Sequence, residues 1–231
     1  MVQAHTPFGP NQDPAEPWRP GWTPPSVPGW TPPGSPQAPG PEGIRVWQDP
    51  HADWQAKLEE QLLAKRIVMA SGVLDDAAAA RLSAQLLALN ADGGRPVRLE
   101  LQNLRAELSA VVTVMGILDV LQVPVHGCVS GEVGGPALGL LASCTDRSAY
   151  PNATLALSEP RTHLTGTATI ISAREQHFQR MLDTIYFKLA DVTGRPAEEI
   201  REDARRGRVF TAAQAVGYGL LQRQEAAKQR D

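Results

Sequence analysis

The sequence predicts an α/β domain in which strands and helices alternate along the chain, preceded by a disordered tail rich in proline. Three observations favour this fold class. From residue 66 onward, apolar runs of strand periodicity alternate with runs of helical spacing. Glycine, proline and aspartate separate these runs, and residues 1–43 hold 13 of the 20 prolines. Alternating strands and helices connect through right-handed crossovers, so a mostly parallel sheet is expected.

The amino-terminal tail, residues 1–43, also holds 6 of the 20 glycines, and it offers too little aliphatic surface to form a core. The hexapeptide Pro-Gly-Trp-Thr-Pro-Pro occurs twice in it, around Trp22 and Trp30, with Trp18 just before. Such segments dock in aromatic grooves, but a solvated leader or a cleaved propeptide fits the same composition. We therefore predict a tail over residues 1–43 and one folded domain over residues 44–231.

Charge and composition exclude several classes of protein. The net charge is −3, and basic residues are scattered among acids, so nucleic-acid binding is not expected. Cys128 and Cys144 lie in apolar stretches without a CxxC pair, which predicts buried thiols and no metal site. No run approaches the roughly 18 apolar residues of a membrane span, and residues 1–10 lack a signal-peptide pattern. A cytoplasmic protein without cofactor is expected.

The first βαβ unit begins with an apolar run at residues 66–70. Asp75 and Asp76 follow and provide N-cap chemistry for an alanine-rich helix. The inner stripe of that helix is spaced by four, four and three residues: Ala78, Leu82, Leu86 and Leu89. A half-buried strand comes next, in which three apolar residues alternate with charged ones: Val97, Leu99 and Leu101.

The remaining elements continue the alternation. They are a helix, a strand, a small-residue helix, another strand and a long helix: 107–121, 125–129, 134–142, 154–157 and 169–192. One stripe of the long helix should face its own domain: Phe178, Leu182, Ile185 and Leu189. Met181, Tyr186 and Phe187 lie off this stripe. They predict a second contact, either with a neighbouring subunit or within the domain itself.

Several short runs, taken in order over residues 66–221, resemble the ClpP family of Clp protease proteolytic subunits. They include Leu74-Asp75-Asp76, Pro151-Asn152-Ala153, Ala173-Arg174-Glu175, Thr193-Gly194-Arg195-Pro196 and Thr211-Ala212-Ala213-Gln214-Ala215. The resemblance implies a ClpP/crotonase-like spiral of βαβ units with a long protruding handle helix. It also implies the serine peptidase chemistry of that family.

Serine peptidases need a nucleophilic hydroxyl, a histidine base, an orienting carboxylate and backbone donors for the oxyanion. The resemblance places Gly135 at the position of the serine, Ser158 at that of the histidine and Asp203 at that of the carboxylate. It places Arg105 and Ala106 at the glycine turn that supplies oxyanion donors. Glycine has no nucleophile and serine is no base near neutral pH. A catalytically inactive subunit is therefore expected.

Two enzymatic alternatives remain open. Ser130 or Ser143, with His126 nearby, would be a relocated nucleophile, although neither serine lies in a Gly-x-Ser-x-Gly elbow. Glu132 would instead serve a crotonase-type acyl enzyme, because the run 141–147 resembles that superfamily as well. The chain is short for a crotonase, and its ending over residues 211–220 favours ClpP. Under the inactive interpretation, Glu132 is a solvated or pore-facing acid.

The resemblance also predicts partners. ClpP relatives form heptameric rings that stack in pairs into a chamber fed by an ATP-driven AAA+ unfoldase, and inactive paralogues mix with active ones. We therefore expect a homo- or hetero-oligomeric ring with other Clp proteolytic subunits, and an unfoldase as a possible further partner. The expected role is structural support or regulation of active subunits.

Overall fold

A computed structural model of the chain describes residues 50–226, with the side chains of residues 50–53 and 55 excepted. The predicted tail, its tryptophans and the boundary after residue 43 lie outside the described residues.

The described part of the chain forms seven strands and seven α-helices. The strands are β1 (Ile67–Leu74), β2 (Val97–Ala106), β3 (Val125–Gly134), β4 (Asp146–Ala149), β5 (Thr154–Leu157), β6 (Arg208–Thr211) and β7 (Arg223–Gln224). The helices are α1 (Pro50–Ala64), α2 (Asp76–Ala91), α3 (Leu108–Val120), α4 (Leu138–Ala142), α5 (Ala168–Thr193), α6 (Ala197–Arg206) and α7 (Ala212–Tyr218). A 3₁₀ turn, Gly135–Ala137, joins β3 to α4.

All seven strands belong to one sheet, in which β1, β2, β3, β4 and β7 are neighbours in that order and parallel. Strand β3 is shared between two partners. Its first half pairs with β4, from His126 to Val129, and its last residues, Glu132 to Gly134, pair with β5. Strand β6 adds to β5 in the antiparallel direction. This arrangement confirms the predicted α/β spiral of βαβ units.

The first unit follows its sequence signals closely. Asp75 has an extended backbone and its side chain accepts a hydrogen bond from the amide of Ala78 at 2.8 Å, as an N-cap should. Leu82, Leu86 and Leu89 are buried, as predicted, but Ala79 rather than Ala78 completes the inner face. Strand β1 also runs four residues beyond the predicted end of the strand, as far as residue 74.

Five elements were not predicted, one of them the 15-residue helix α1 and the others shorter segments. They are α1, β4, α6, β6 and β7. Strand β4 has four residues and takes its hydrogen bonds from β3, and β7 has two residues that extend the sheet beyond β4. Helix α6 buries only Ile200, Asp203 and Ala204. Tertiary pairing rather than local periodicity stabilises these segments, so the sequence pattern alone gives little sign of them.

Helix α5 begins after Thr167, whose hydroxyl accepts from the amide of Ile170, and ends at Gly194 in the left-handed conformation. Residues 172–177 are all exposed, as expected for a protruding handle. Of the residues off the predicted stripe, Tyr186 is buried within its own domain. Phe187 is instead 56% exposed, so it remains available for a contact with another subunit.

The two adjacent leucines of α2 provide a matched test of this packing. Leu86 is fully buried, whereas Leu87 is 44% exposed. We expect Leu86→Ala to lower the free energy of unfolding by about 2–5 kcal/mol, because a cavity remains in the core. Leu87→Ala should change it by no more than about 0.5 kcal/mol. Urea denaturation followed by circular dichroism measures both, and equal losses would contradict the described packing.

Candidate active-site cleft

An open cleft of about 700 Å³ lies where β1, β2, β3 and β5 end. Its lining includes Arg105, Ala106, Glu132, Gly135 and Ser158, so it brings together all the positions predicted for the site except Asp203. Carboxyl ends of parallel strands are the usual place for ligands in open α/β sheets. A second groove, of about 420 Å³ beside α1, β1 and α2, contains none of these positions.

Gly135 and Ser158 face each other across this cleft. A Cβ atom placed on Gly135 would lie 3.5 Å from both the hydroxyl and the carbonyl oxygen of Ser158. Gly135 opens the 3₁₀ turn with a positive φ of 57°, in the left-handed region that favours glycine. The fold therefore brings together the positions assigned to nucleophile and base, but the residues present are a glycine and a serine.

Asp203, at the position predicted for the orienting carboxylate, is 6% exposed, and its Oδ2 is hydrogen-bonded outside the cleft. It accepts hydrogen bonds from the hydroxyl of Tyr218 at 2.7 Å and from the guanidinium of Arg208 at 2.9 Å. Burial acts to raise the pKa of this carboxyl, but the hydrogen bonds from Tyr218 and Arg208 outweigh it and hold the pKa below its ordinary value. Asp203 is thus an ionised structural anchor between α6, β6 and α7.

The segment at the predicted oxyanion turn is regular strand. Arg105 and Ala106 are the last residues of β2, paired with Val73 and Leu74 of β1. The irregularity of β2 lies earlier, at Asn103, which has a positive φ of 45°. Its side-chain oxygen accepts from the amide of Glu132 at 3.0 Å. The irregularity of this strand therefore lies two residues before the position that the resemblance assigns to the glycine turn.

The alternative catalytic residues are not brought together. His126 and Ser130 lie on the same face of β3 but four residues apart, about 13 Å along a strand. The hydroxyl of Ser143 is buried without a hydrogen-bond partner. In the described residues, no hydrogen bond joins a histidine to a serine hydroxyl. Glu132 is exposed at the cleft, as expected for a solvated acid.

Both cysteines are buried, as predicted. Burial raises the pKa of Cys144 to about 12, and its thiol donates to the carbonyl of Leu140. Burial likewise raises the pKa of Cys128, so neither thiol is a ready nucleophile. Across residues 50–226, no group of three His, Cys, Asp or Glu side chains is arranged to hold a metal ion. No helix in this range combines the length and apolarity that crossing a bilayer requires.

The βαβ spiral and the cleft at its strand ends define a ClpP/crotonase-like α/β protein. The family model for Clp protease matches residues 51–224, which covers almost all of the described chain. The chain therefore belongs to the Clp protease family, and the predicted resemblance to ClpP is confirmed.

Individual relatives agree with this assignment. The chain is 30% identical over 165 residues to "ATP-dependent Clp protease proteolytic subunit 1" of Mycobacterium tuberculosis, covering 70% of this chain and 82% of that protein. It is 31% identical over 194 residues to the protein of the same name from Frankia casuarinae, covering 79% and 87%. The "ATP-dependent Clp protease proteolytic subunit" of Ligilactobacillus salivarius is 30% identical over 164 residues, covering 70% and 83%.

The engagement of Asp203 predicts a pH-dependent contribution to stability. Because its pKa is lower in the folded chain, the carboxylate stabilises the fold above the ordinary value of about 3.9, and this contribution disappears as pH falls through the folded pKa. Asp203→Asn should lower the free energy of unfolding by about 1.5–3 kcal/mol at pH 7. The difference from wild type should shrink below about pH 4.

Asp191→Asn, an exposed position on α5, serves as the control and should have little effect at either pH. Urea denaturation at several pH values measures these differences. A loss for Asp203→Asn that stays constant from pH 7 to pH 3 would contradict the ionised, hydrogen-bonded state of this carboxyl.

Proposed function

We propose that this chain is a ring-forming Clp-type subunit that does not cut peptide bonds and acts as a structural or regulatory partner of active subunits. The observation that carries this proposal is the pair of residues facing each other in the cleft. Gly135 offers no nucleophile, and Ser158, against which its missing side chain would lie, offers no base.

Two further features support inactivity. Asp203 holds Tyr218 and Arg208, so its charge stabilises the domain rather than a catalytic imidazole. Strand β2 continues regularly through Arg105 and Ala106, so the glycine turn that would donate to an oxyanion is replaced. Loss of one triad member leaves residual catalysis of roughly 10³–10⁴ over water where the oxyanion hole survives. Here the nucleophile, the base and the turn differ together.

The proposed role lies in assembly. The relatives are named as proteolytic subunits of an ATP-dependent protease. We infer that this chain joins a ring, alone or with other Clp proteolytic subunits, in the cytoplasm, with an ATP-driven unfoldase as a further partner. The exposed Phe187 on α5 supports a contact beyond the domain. We further propose that residues 1–43 are a separable tail of the domain at residues 44–231.

The first test asks whether the chain lacks peptidase activity. The purified full chain should neither cleave fluorogenic peptides nor react with a fluorophosphonate probe. Gly135→Ser should remain unlabelled, since a serine hydroxyl without a base stays protonated and is a poor nucleophile. The double variant Gly135→Ser with Ser158→His should gain little peptidase activity. Each oxyanion donor lowers the activation free energy by about 2.7–4 kcal/mol, and the turn that would supply it is altered at Arg105.

Mass spectrometry of the probe-treated protein decides the matter, with an active Clp subunit as the positive control. Labelling of the unmodified chain at Ser130 or Ser143 would show a relocated nucleophile and overturn the proposal. Turnover of acyl thioesters that is lost in Glu132→Gln would instead favour a crotonase-type enzyme.

The second test concerns the ring. Light scattering of the full chain, alone and mixed with active Clp subunits, should show an assembly of about seven subunits per ring. Phe187→Asp should shift the distribution toward monomers, because it places a charge in an apolar contact. Thr113→Asp, at an exposed position on a different helix, α3, is the control and should assemble normally. A strictly monomeric wild type under both conditions would rule out the assembly role.

A further inference from the structure

The cleft contains two arginines that have no ionic partner. Arg105 lies exposed at the end of β2, and Arg161 lies in the segment that follows Ser158; both line the cleft. Seven of the fifteen arginines in the described chain contact a carboxylate: Arg98, Arg195, Arg201, Arg205, Arg206, Arg208 and Arg223. No carboxylate of the described residues lies within ion-pair distance of Arg105 or Arg161.

The charge of the cleft is therefore unbalanced. Glu132 is the single carboxylate among its lining residues, and within the described range it forms no ion pair with either arginine. The lining thus carries two guanidinium groups and one carboxylate. A guanidinium presents a planar fork of donors that matches a carboxylate, and it keeps its charge at every physiological pH. The cleft accordingly favours an anionic ligand of that shape.

The other walls of the cleft suit a peptide. Val73 is 62% exposed, and prolines and alanines line the same space, so small apolar side chains find a surface there. The hydroxyl of Ser158 forms no hydrogen bond with described residues and is free to contact a peptide backbone. The volume of about 700 Å³ lies within the range of about 300–1,000 Å³ typical of ligand sites.

We propose that this cleft binds peptides through a carboxylate held by Arg105 and Arg161. The carboxylate is either the terminal group of a peptide or an acidic side chain. This inference rests on the proposed function, because a cleft without a nucleophile holds a peptide and releases it unchanged. Each peptide bond that an active partner hydrolyses creates one new terminal carboxylate and one new amine, so peptides ending in a carboxylate would be abundant inside a shared chamber.

Arginine at residue 105 suits a different kind of anion from the glycine turn that the resemblance predicts there. A glycine turn donates neutral amide hydrogens to a charge that exists only during reaction. Arg105 instead carries a permanent charge on a side chain, which suits a stable anion. Because both arginines lie near solvent, added salt should weaken the attraction.

Fluorescence anisotropy of the full chain tests the proposal with three rhodamine-labelled hexapeptides of alanine and leucine. One has a free terminal carboxylate, the second a terminal amide, and the third a terminal amide and one internal aspartate. At low salt we expect the free acid, or the aspartate peptide, to bind about tenfold more tightly than the plain amide. Arg105→Gln and Arg161→Gln should each remove most of this preference.

Arg95→Gln is the matched control, since Arg95 is exposed and lies outside the cleft. Tight binding of the free acid alone identifies the terminal carboxylate as the ligand, and tight binding of the aspartate peptide identifies a side chain. Equal affinities for all three peptides would overturn the proposal, as would an equal loss in Arg95→Gln. Thermal melting verifies that each variant is folded.

Mass spectrometry of the peptides after incubation separates the proposal of carboxylate binding in the cleft from the proposal that the chain is catalytically inactive. If the peptides stay intact and the three bind with equal affinity, the binding proposal is wrong and the proposed inactivity is unaffected. Cleaved peptides would overturn the proposed inactivity, while the anisotropy of the three peptides would still report on the arginines.

Discussion

The division of β3 between two partners is the constraint on which the rest of the structure depends. One ten-residue strand pairs with β4 along its first half and with β5 at its end. Strand β5 pairs with β3 beyond the residues that pair with β4, so the sheet turns and the end of β3 lies beside the end of β5. Gly135 follows the first of these ends and Ser158 the second, so their juxtaposition is a property of the sheet. Close packing supports it, since a Cβ on Gly134 would lie 2.9 Å from that of Ala156.

A buried charge at Asp203 helps to hold this frame together. A buried carboxylate without a partner would be strongly destabilising. Here the hydroxyl of Tyr218 and the guanidinium of Arg208 satisfy it. Arg208 also stands opposite Leu157, the residue before Ser158, so the anchor is tied to the strand that leads into the cleft. The acid that the resemblance assigns to the catalytic carboxylate is thereby part of the packing between α6 and α7.

The sequence predicted the fold well where local periodicity and burial coincide. The leucines of α2 and the alternation of β2 are examples, since each apolar position faces the core. It also identified Gly135, Ser158, Arg105 and Ala106, which the fold brings to one cleft. It did not indicate β4 or β6. Each of these strands has four residues and is stabilised by pairing with a neighbouring strand. Nor did it show that Arg161 joins the cleft or that Tyr218 holds Asp203, because such contacts between distant residues leave no periodic signal.

The left-handed backbone of Gly135 limits which residues can stand at this position. A residue with a side chain is strained there, typically by about 1–2 kcal/mol, and enzymes tolerate such strain at a nucleophile for the sake of activity. Glycine removes this strain, so the domain with Gly135 is more stable than one with a side chain at this position. Serine at this position would lower stability, and its hydroxyl would stay a poor nucleophile without a neighbouring base. Under the proposed non-catalytic role, selection for stability alone therefore keeps glycine at this single peptide unit.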